Sequence, residues 1–418
     1  MEPRGKLRFE IWIAVGAVFA GLLLASAPLV LFGAFLFTRL LLGLMEAARL
    51  RDAYVEGRAS FERHIVEEGD TVRGCVEVRL RKGRYGVVFL SEDERIRQNM
   101  VDGEPGLCVA PEKEGASWEY AVIPPRGVYR EGPVVELCDP GLYISRWMKL
   151  PRVAELWVLP RVEKLGRVRL SPRRTLVTPG LIPSRRGGTG ILFFGTRPHF
   201  PGEGGVKLNW RALARYGVPV VNVYEEERAT EVALVVDCRA RVYREFGCPE
   251  AFDHAVRAAA SLVGALLDAG HRVGLLLYGK WPRWLPPGSG RVHRYRILCS
   301  LAGAEPGESF AFAELRALPL RFFPGGSSVI VVSPLAADDE GYLRLLALKG
   351  YDVGLVIPDP LSLLREKARR RPERLALELM SLERELMYAR LAAAGVRLAI
   401  WDPEVPLAAA LEVHWGQG

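Results

Sequence analysis

The sequence predicts a multidomain membrane protein: an N-terminal transmembrane helical hairpin, a β-sandwich, then an α/β doubly wound domain. Three observations predict it. Residues 9–45 are almost wholly apolar, residues 54–168 carry short alternating runs broken by Gly and Pro, and after Glu231 apolar strands alternate with amphipathic helices. A chain of 418 residues carries a prior of two to three domains. Its 49% hydrophobic and 25% charged residues exclude a disordered chain, a collagen-like repeat and a disulfide-stapled miniprotein. The expected boundaries are 1–50 for the hairpin, 51–170 for the sandwich, 171–230 for a connection and 231–418 for the α/β domain.

Within the apolar run, Arg39 is the one formal charge apart from Glu10 at the edge. Pro28 divides it into helices of about residues 9–27 and 28–45. At 1.5 Å per residue each reaches roughly 27 Å, close to the hydrocarbon thickness of a bilayer. Arg39 lies near the end of its helix and can snorkel outward. A signal peptide is the competing reading, because Arg4, Lys6 and Arg8 precede the run and Ala25-Ser26-Ala27 has a small-x-small form. Pro28 just after the cut, and a second apolar run behind it, count against cleavage. Basic residues at both ends of the run, Arg49 and Arg51 included, place both ends and the soluble domains in the cytoplasm.

Thr71–Leu80, Tyr85–Leu90, Trp118–Ile123 and Glu155–Leu159 read as short strands, separated by turn residues such as Pro105-Gly106 and Pro140-Gly141. Residues 171–205, rich in Pro, Gly and Arg, read as connection. Beyond them, Glu231–Val236, His271–Tyr278, Ser328–Ser333, Asp352–Ile357 and Val396–Trp401 read as strands. Pro249–Ala269, Asp338–Lys349 and Leu361–Ala394 read as helices. Ligands of doubly wound sheets sit at the carboxyl ends of the strands, which directs attention to Asp237 and Ser333.

No HExxH, GxSxG or phosphate-loop pattern is present, and the Gly187-Gly188-Thr189-Gly190 stretch lacks a strand-to-helix setting. Six dispersed Cys form no CxxC pair, and six scattered His show no helical metal spacing. The net charge of +8 arises from 57 basic against 49 acidic residues. That interleaving, without an aromatic-basic recognition motif, argues against nucleic-acid binding.

One segment is richer than a connection needs: Arg197-Pro-His-Phe-Pro-Gly-Glu203, then Asn209-Trp210-Arg211 and Ala214-Arg215, then the acidic Glu225–Glu227. It resembles the signature of the domain of unknown function 58 family. In that family an Arg-x-Tyr-x-x-Gly-Asp run precedes Asp-Trp-Lys-x-x-Ala-Arg, an acidic patch and a von Willebrand factor A-like domain. Arg197, Pro201, Gly202, Arg215 and Glu227 match as they stand. Glu203 stands for the usual Asp, and Asn209, Trp210 and Arg211 stand for Asp-Trp-Lys. Arg211 and Arg215 share a helical face able to meet Glu225–Glu227, with Trp210 packed beneath.

The resemblance implies a von Willebrand factor A-like α/β domain, in which a working metal site presents Asp-x-Ser-x-Ser after the first strand. Here Asp237 is followed by Arg239 and Arg241 at both serine positions, and guanidinium groups donate no lone pair to a cation. Ser333-Pro334 stands where the family often has Ser-Asp. The expectation is therefore a degenerate site that binds no metal and needs no cofactor. Asp237, Arg239, Arg241 and Ser333 would form a crevice for a partner's acidic side chain, with exposed arginines paired to local Glu as the plainer reading. The resemblance also implies the partner, a MoxR-type AAA+ ATPase. The expected function is a non-enzymatic, membrane-anchored scaffold or adaptor in assembly of other proteins. The alternative is an envelope-associated hydrolase using Asp237, Glu203 or a carboxylate of Glu225–Glu227 in an interdomain cleft.

Overall fold

The apolar run folds as two helices, Gly5–Leu23 and Ala27–Ala47, in a computed structural model of the chain. That structure describes all residues except 1, 4, 48–49, 51–54, 81–86, 110–114, 167, 169, 171–175, 201, 204–207, 230, 310–313, 318–322, 324–326, 368–370 and 416–418. The chain reverses at Leu24-Ala25-Ser26, where Ser26 N–H donates to the Gly21 carbonyl at 2.8 Å and Ala25 takes the left-handed φ of 49°. The turn falls before Ala27 and not at Pro28, because a proline in the first helical turn needs no N–H partner. Close approach holds the two helices together: a Cβ on Gly21 would lie 2.7 Å from Val30 Cγ2, and one on Gly33 2.5 Å from Val18 Cγ2. Ala27–Met45 is long and apolar enough to cross a bilayer, with a mean hydropathy of 2.0. Arg39 does not stand alone, for its Nη2 lies 3.6 Å from Glu10 Oε1, and Glu10 Oε2 accepts the Tyr143 hydroxyl at 2.8 Å.

The chain divides into two units, Met1–Leu159 and Pro160–Gly418. Strands of the first form mainly antiparallel sheets. One has four strands, in the order Val55–Phe61, Val72–Leu80, Gly115–Val122, Met100–Asp102, and another runs Glu2–Pro3, Ile144–Lys149, Val134–Cys138, Val87–Ser91, Gly106–Val109. A third pairs Leu156–Leu159 with Ile65–Glu67 in parallel and with Gly127–Tyr129 antiparallel. Strand periodicity sends alternate residues inward, so Val76, Val78 and Trp118 share one core with Val88, Leu90, Val135 and Leu137. At its edge a fully buried Arg152 donates to Glu92 Oε2 at 3.0 Å, and Tyr120 donates to Glu92 Oε1 at 2.5 Å.

The sequence places the sandwich boundary near residue 170, but the structure divides after Leu159. Leu165, Val168 and Leu170 pack onto the core of the second unit, and Glu163 is pinned there by Ser261 and Leu407. Residues 171–230 are also more than connection. Leu176–Pro198 pairs antiparallel, with irregular register, against Val220–Ala229, and Gly187 and Gly188 lie within that ladder.

Six strands make the main sheet: β1 (Glu231–Asp237), β2 (Arg272–Tyr278), β3 (Arg283–Gly288), β4 (Ser328–Val332), β5 (Asp352–Pro358) and β6 (Arg397–Trp401). Their order is β3-β2-β1-β4-β5-β6, parallel except for the β3 edge. Continuous apolar runs follow from burial on both faces. Val232, Leu234 and Val236 pack with the Glu250–Asp268 helix on one side. Ala233 and Val235 pack with the Asp339–Leu348 and Arg371–Ala393 helices on the other. The Leu361–Ala394 region, read as one helix, contains two, Pro360–Lys367 and Arg371–Ala393.

Candidate functional site

The strand order reverses between β1 and β4, and connections leaving them in opposite directions open a crevice at their carboxyl ends. Asp237 closes β1, Ser333 follows β4, and both are buried. The chain after Asp237 turns sharply, with Arg239 N–H donating to Asp237 Oδ1 at 2.9 Å, before the Ala240–Glu245 helix begins. This turn sends the Arg239 side chain back across its own strand end. Its Nε donates to Asp237 Oδ1 at 2.9 Å and its Nη2 to Asp237 Oδ2 at 2.7 Å. The other edge of the guanidinium meets Asp339, Nη1 to Oδ1 at 3.0 Å and Nη2 to Oδ2 at 2.7 Å. One arginine thus bridges two carboxylates in fork geometry with 2% exposure.

Further bonds hold both acids. Ser333 Oγ donates to Asp237 Oδ2 at 2.6 Å and accepts Leu335 N–H at 3.0 Å. Asp339 Oδ2 accepts Ala336 N–H at 2.9 Å. The Tyr243 hydroxyl donates to the Asp237 carbonyl at 2.6 Å, and burial raises that phenol far above its ordinary value. The connection after Ser333 passes through Leu335 in the left-handed region, φ 62°, a strained backbone for a branched side chain. Arg384, itself buried, braces it by donating to the Pro334 and Leu335 carbonyls.

The electrostatics follow from burial and proximity. Burial lifts the Asp339 carboxyl above its ordinary range, against the opposing pull of Arg239. Burial alone would push the Arg239 guanidinium down, but Asp237 and then Asp339 more than reverse that and raise it. Arg239 stays charged at any pH the fold survives. At the rim, Arg241 Nη2 bonds both Asp338 oxygens, at 2.7 and 3.0 Å, with each side chain about 40% exposed. The sequence-predicted crevice therefore comes together as a set, but Asp237, Arg239 and Ser333 lie inside it and Arg241 alone reaches solvent.

Residues 195–361 match the model of the family described as Protein of unknown function DUF58. No curated protein matches the chain. Among solved structures it is similar to a protein of unknown function from Porphyromonas gingivalis W83, at 12% identity over 47% of this chain and 87% of that one, TM-score 0.20. It is also similar to the sporulation control protein Spo0M from Bacillus subtilis, at 15% identity over 24% and 49% of the two chains, TM-score 0.13. At those scores neither likeness bears on the fold.

The DUF58 match spans the strand-end cluster and begins at the Arg197 segment. There Arg197 grips Glu203 with both nitrogens, Nη2–Oε1 2.9 Å and Nη1–Oε2 3.0 Å, across a turn at Gly202 with φ 96°. The Arg197 hydrogen bond holds the Glu203 carboxyl below its usual value. Pro201 lies outside the described residues, as does the Glu227 side chain. Asn209 caps the Trp210–Tyr216 helix by accepting Ala212 N–H at 3.0 Å, and its amide reaches Asn222 Oδ1 at 2.9 Å. Trp210 does not pack beneath Arg211 and Arg215 as expected. It is 71% exposed, and the short helix buries none of its residues.

Sequence reasoning missed Asp339. The carboxylate sought next to Ser333 comes from six positions further on, where the start of the Asp339–Leu348 helix folds back onto the strand end. The Asp338-Asp339 pair ahead of an apolar helix was its one signal, as acids favour a helix N-terminus.

Proposed function

We propose that the chain is a membrane-anchored scaffold or adaptor whose second unit is a von Willebrand factor A-like domain with an arginine in place of the cation. In this reading the two N-terminal helices both span the membrane, the soluble units face the cytoplasm, and the first unit is a β-sandwich spacer. The observation that carries it is the closed Asp237–Arg239–Asp339 cluster, at the point of the sheet where ligands enter. A divalent cation does not fit these residues: both carboxylates already bond a guanidinium that fills the space between them. Catalytic chemistry fits no better. Ser333 Oγ donates to Asp237, whose two oxygens are already bonded to Arg239, and Glu203, bound to Arg197, is a poor proton donor. The two carboxylates of the hydrolase alternative that the structure describes, Asp237 and Glu203, are thus each held by an arginine.

What remains for function is surface. The Trp210–Tyr216 helix exposes Trp210, Arg211 and Arg215 without serving the core, and the Arg241–Asp338 rim stands beside the closed cluster. We assign partner docking to these two places, with a MoxR-type AAA+ ATPase as the partner; the ATPase follows from the family resemblance alone. The test is co-purification of tagged full-length chain with the MoxR-type ATPase of the same genome. Trp210→Ala combined with Arg211→Glu should abolish capture, and EDTA should leave it unchanged. Capture that survives the double substitution, or that requires Mg²⁺, sinks the reading.

A further inference from the structure

The Arg371–Ala393 helix carries two apolar faces, and one has nothing against it among the described residues. Leu377, Met380, Met387, Tyr388 and Leu391 pack on the cores of the second unit. Leu375, Leu379, Leu382 and Leu386 are 52%, 61%, 56% and 60% exposed. Their spacing of four, three and four residues is a heptad seam, and at 3.6 residues per turn it lies about 150° from the packed face. It runs roughly 17 Å along the helix. Four leucines aligned this way are not scattered surface apolars, and they lie beyond residue 361, where the family match ends.

The charges beside the seam say what covers it. Glu378 and Glu385 flank one side and Glu383 the other, all exposed. Among the flanking side chains that the structure describes, Arg390 is the basic one, and it is already paired with Glu340. A second copy of this helix would set Glu378 against Glu385 in an antiparallel pair, and in a parallel pair Glu378 against Glu383, with only Glu385 against Arg390 in its favour. An anionic lipid surface is repelled for the same reason. We propose that the seam docks an amphipathic helix of a partner protein, with leucine-like residues in its own seam and Lys or Arg on both flanks. This surface is separate from the Trp210 and Arg241 docking places, and either assignment stands if the other fails.

The experiment uses the full chain in nanodiscs of zwitterionic lipid and two fluorescent four-heptad peptides. Both have Leu at the seam positions; one has Lys on the flanks and the other Glu. Fluorescence anisotropy, with empty nanodiscs subtracted, should show binding of the Lys peptide alone. Leu379→Asp with Leu382→Asp should weaken it by about 100-fold. The surface pair Glu383→Lys and Glu385→Lys, which touches no packed residue, should reverse the preference and admit the Glu peptide. Equal binding of both peptides, no binding of either, or a preference unmoved by the charge reversal overturns the proposal. So does a chain mass that halves in the leucine variant, which would assign the seam to a second copy.

Discussion

Arg239→Met removes the charge between Asp237 and Asp339 while keeping much of the side-chain volume. Four side-chain hydrogen bonds are lost, at 2.7 to 3.0 Å, and both carboxylates stay buried without a counter-charge. Stripping one partner from a buried ion pair costs about 3–5 kcal/mol, or about 6–20 °C in the melting transition of a unit this size. The pH dependence has a definite sign. Asp339 already titrates above its unfolded value of 3.8, so the stability it contributes is present at low pH and fades as pH rises through the folded value. Without Arg239 the opposing pull disappears while the Asp237 repulsion stays, and the folded value climbs further. Lowering the pH from about 7.5 to about 5.5 should then return as much as about 1.4 kcal/mol per pH unit where the Asp339 carboxyl takes up its proton. The assay is thermal melting of the full chain at the two pH values, with hydrogen exchange of the β1 and β4 amides reporting the second unit alone. Replacing all three charges, Asp237→Asn, Arg239→Met and Asp339→Asn, should recover most of the loss. A single variant that melts with the wild type at neutral pH, or weakens further on acidification, refutes the reasoning.

Arg239→Ser with Arg241→Ser rebuilds Asp-x-Ser-x-Ser opposite Asp339; its melting temperature should rise with Mg²⁺ and fall in EDTA, whereas the wild type should respond to neither. Tyr120→Phe in the first unit leaves Glu92 to Arg152 and the Asp93 N–H, and should cost about 1–3 kcal/mol in thermal melting, because Glu92 is buried. Gly33→Leu would place a side chain against Val18 backbone nitrogen, 2.9 Å from its Cβ, and should destabilise the helical pair by about 1–3 kcal/mol in micelles.

The parallel strands of the second unit were legible because burial on both faces leaves uninterrupted apolar runs, as in Glu231–Val236 and Asp352–Ile357. The β3 edge was not: Arg283–Gly288 carries Pro286 and Pro287, which a central strand forbids and an edge accepts, since an edge has N–H groups with no ladder to join. Arginines following Asp237 were readable as incompatible with a cation, yet their separate fates were not. Arg239 folds back under a tight turn, and Arg241, two residues on, emerges at the rim beside Asp338. That difference depends on where the Asp339–Leu348 helix begins, a tertiary fact. Trp210 was misread because a tryptophan at the start of an amphipathic turn is usually core, and nothing local distinguishes an exposed one. The leucine seam was hidden by its neighbour: a helix apolar on two faces reads along the chain as one thoroughly buried helix.

A cation held by two carboxylates and a guanidinium held by the same two are not equivalent devices. The cation keeps coordination positions open, and a partner's carboxylate can complete them, so that binding depends on the ion and on its exchange. The guanidinium of Arg239 spends its Nε and both terminal nitrogens on Asp237 and Asp339, leaving no geometry in which a further acid joins the pair. It is also covalently part of the chain and does not exchange. The cluster therefore acts on the fold: it fixes the Cys238–Arg241 turn against the Ser333–Asp339 connection, whose strained Leu335 would otherwise be free to relax. Pinning those two segments sets the Arg241–Asp338 rim in one arrangement, and a rim so held would lose little entropy in the docking proposed for it.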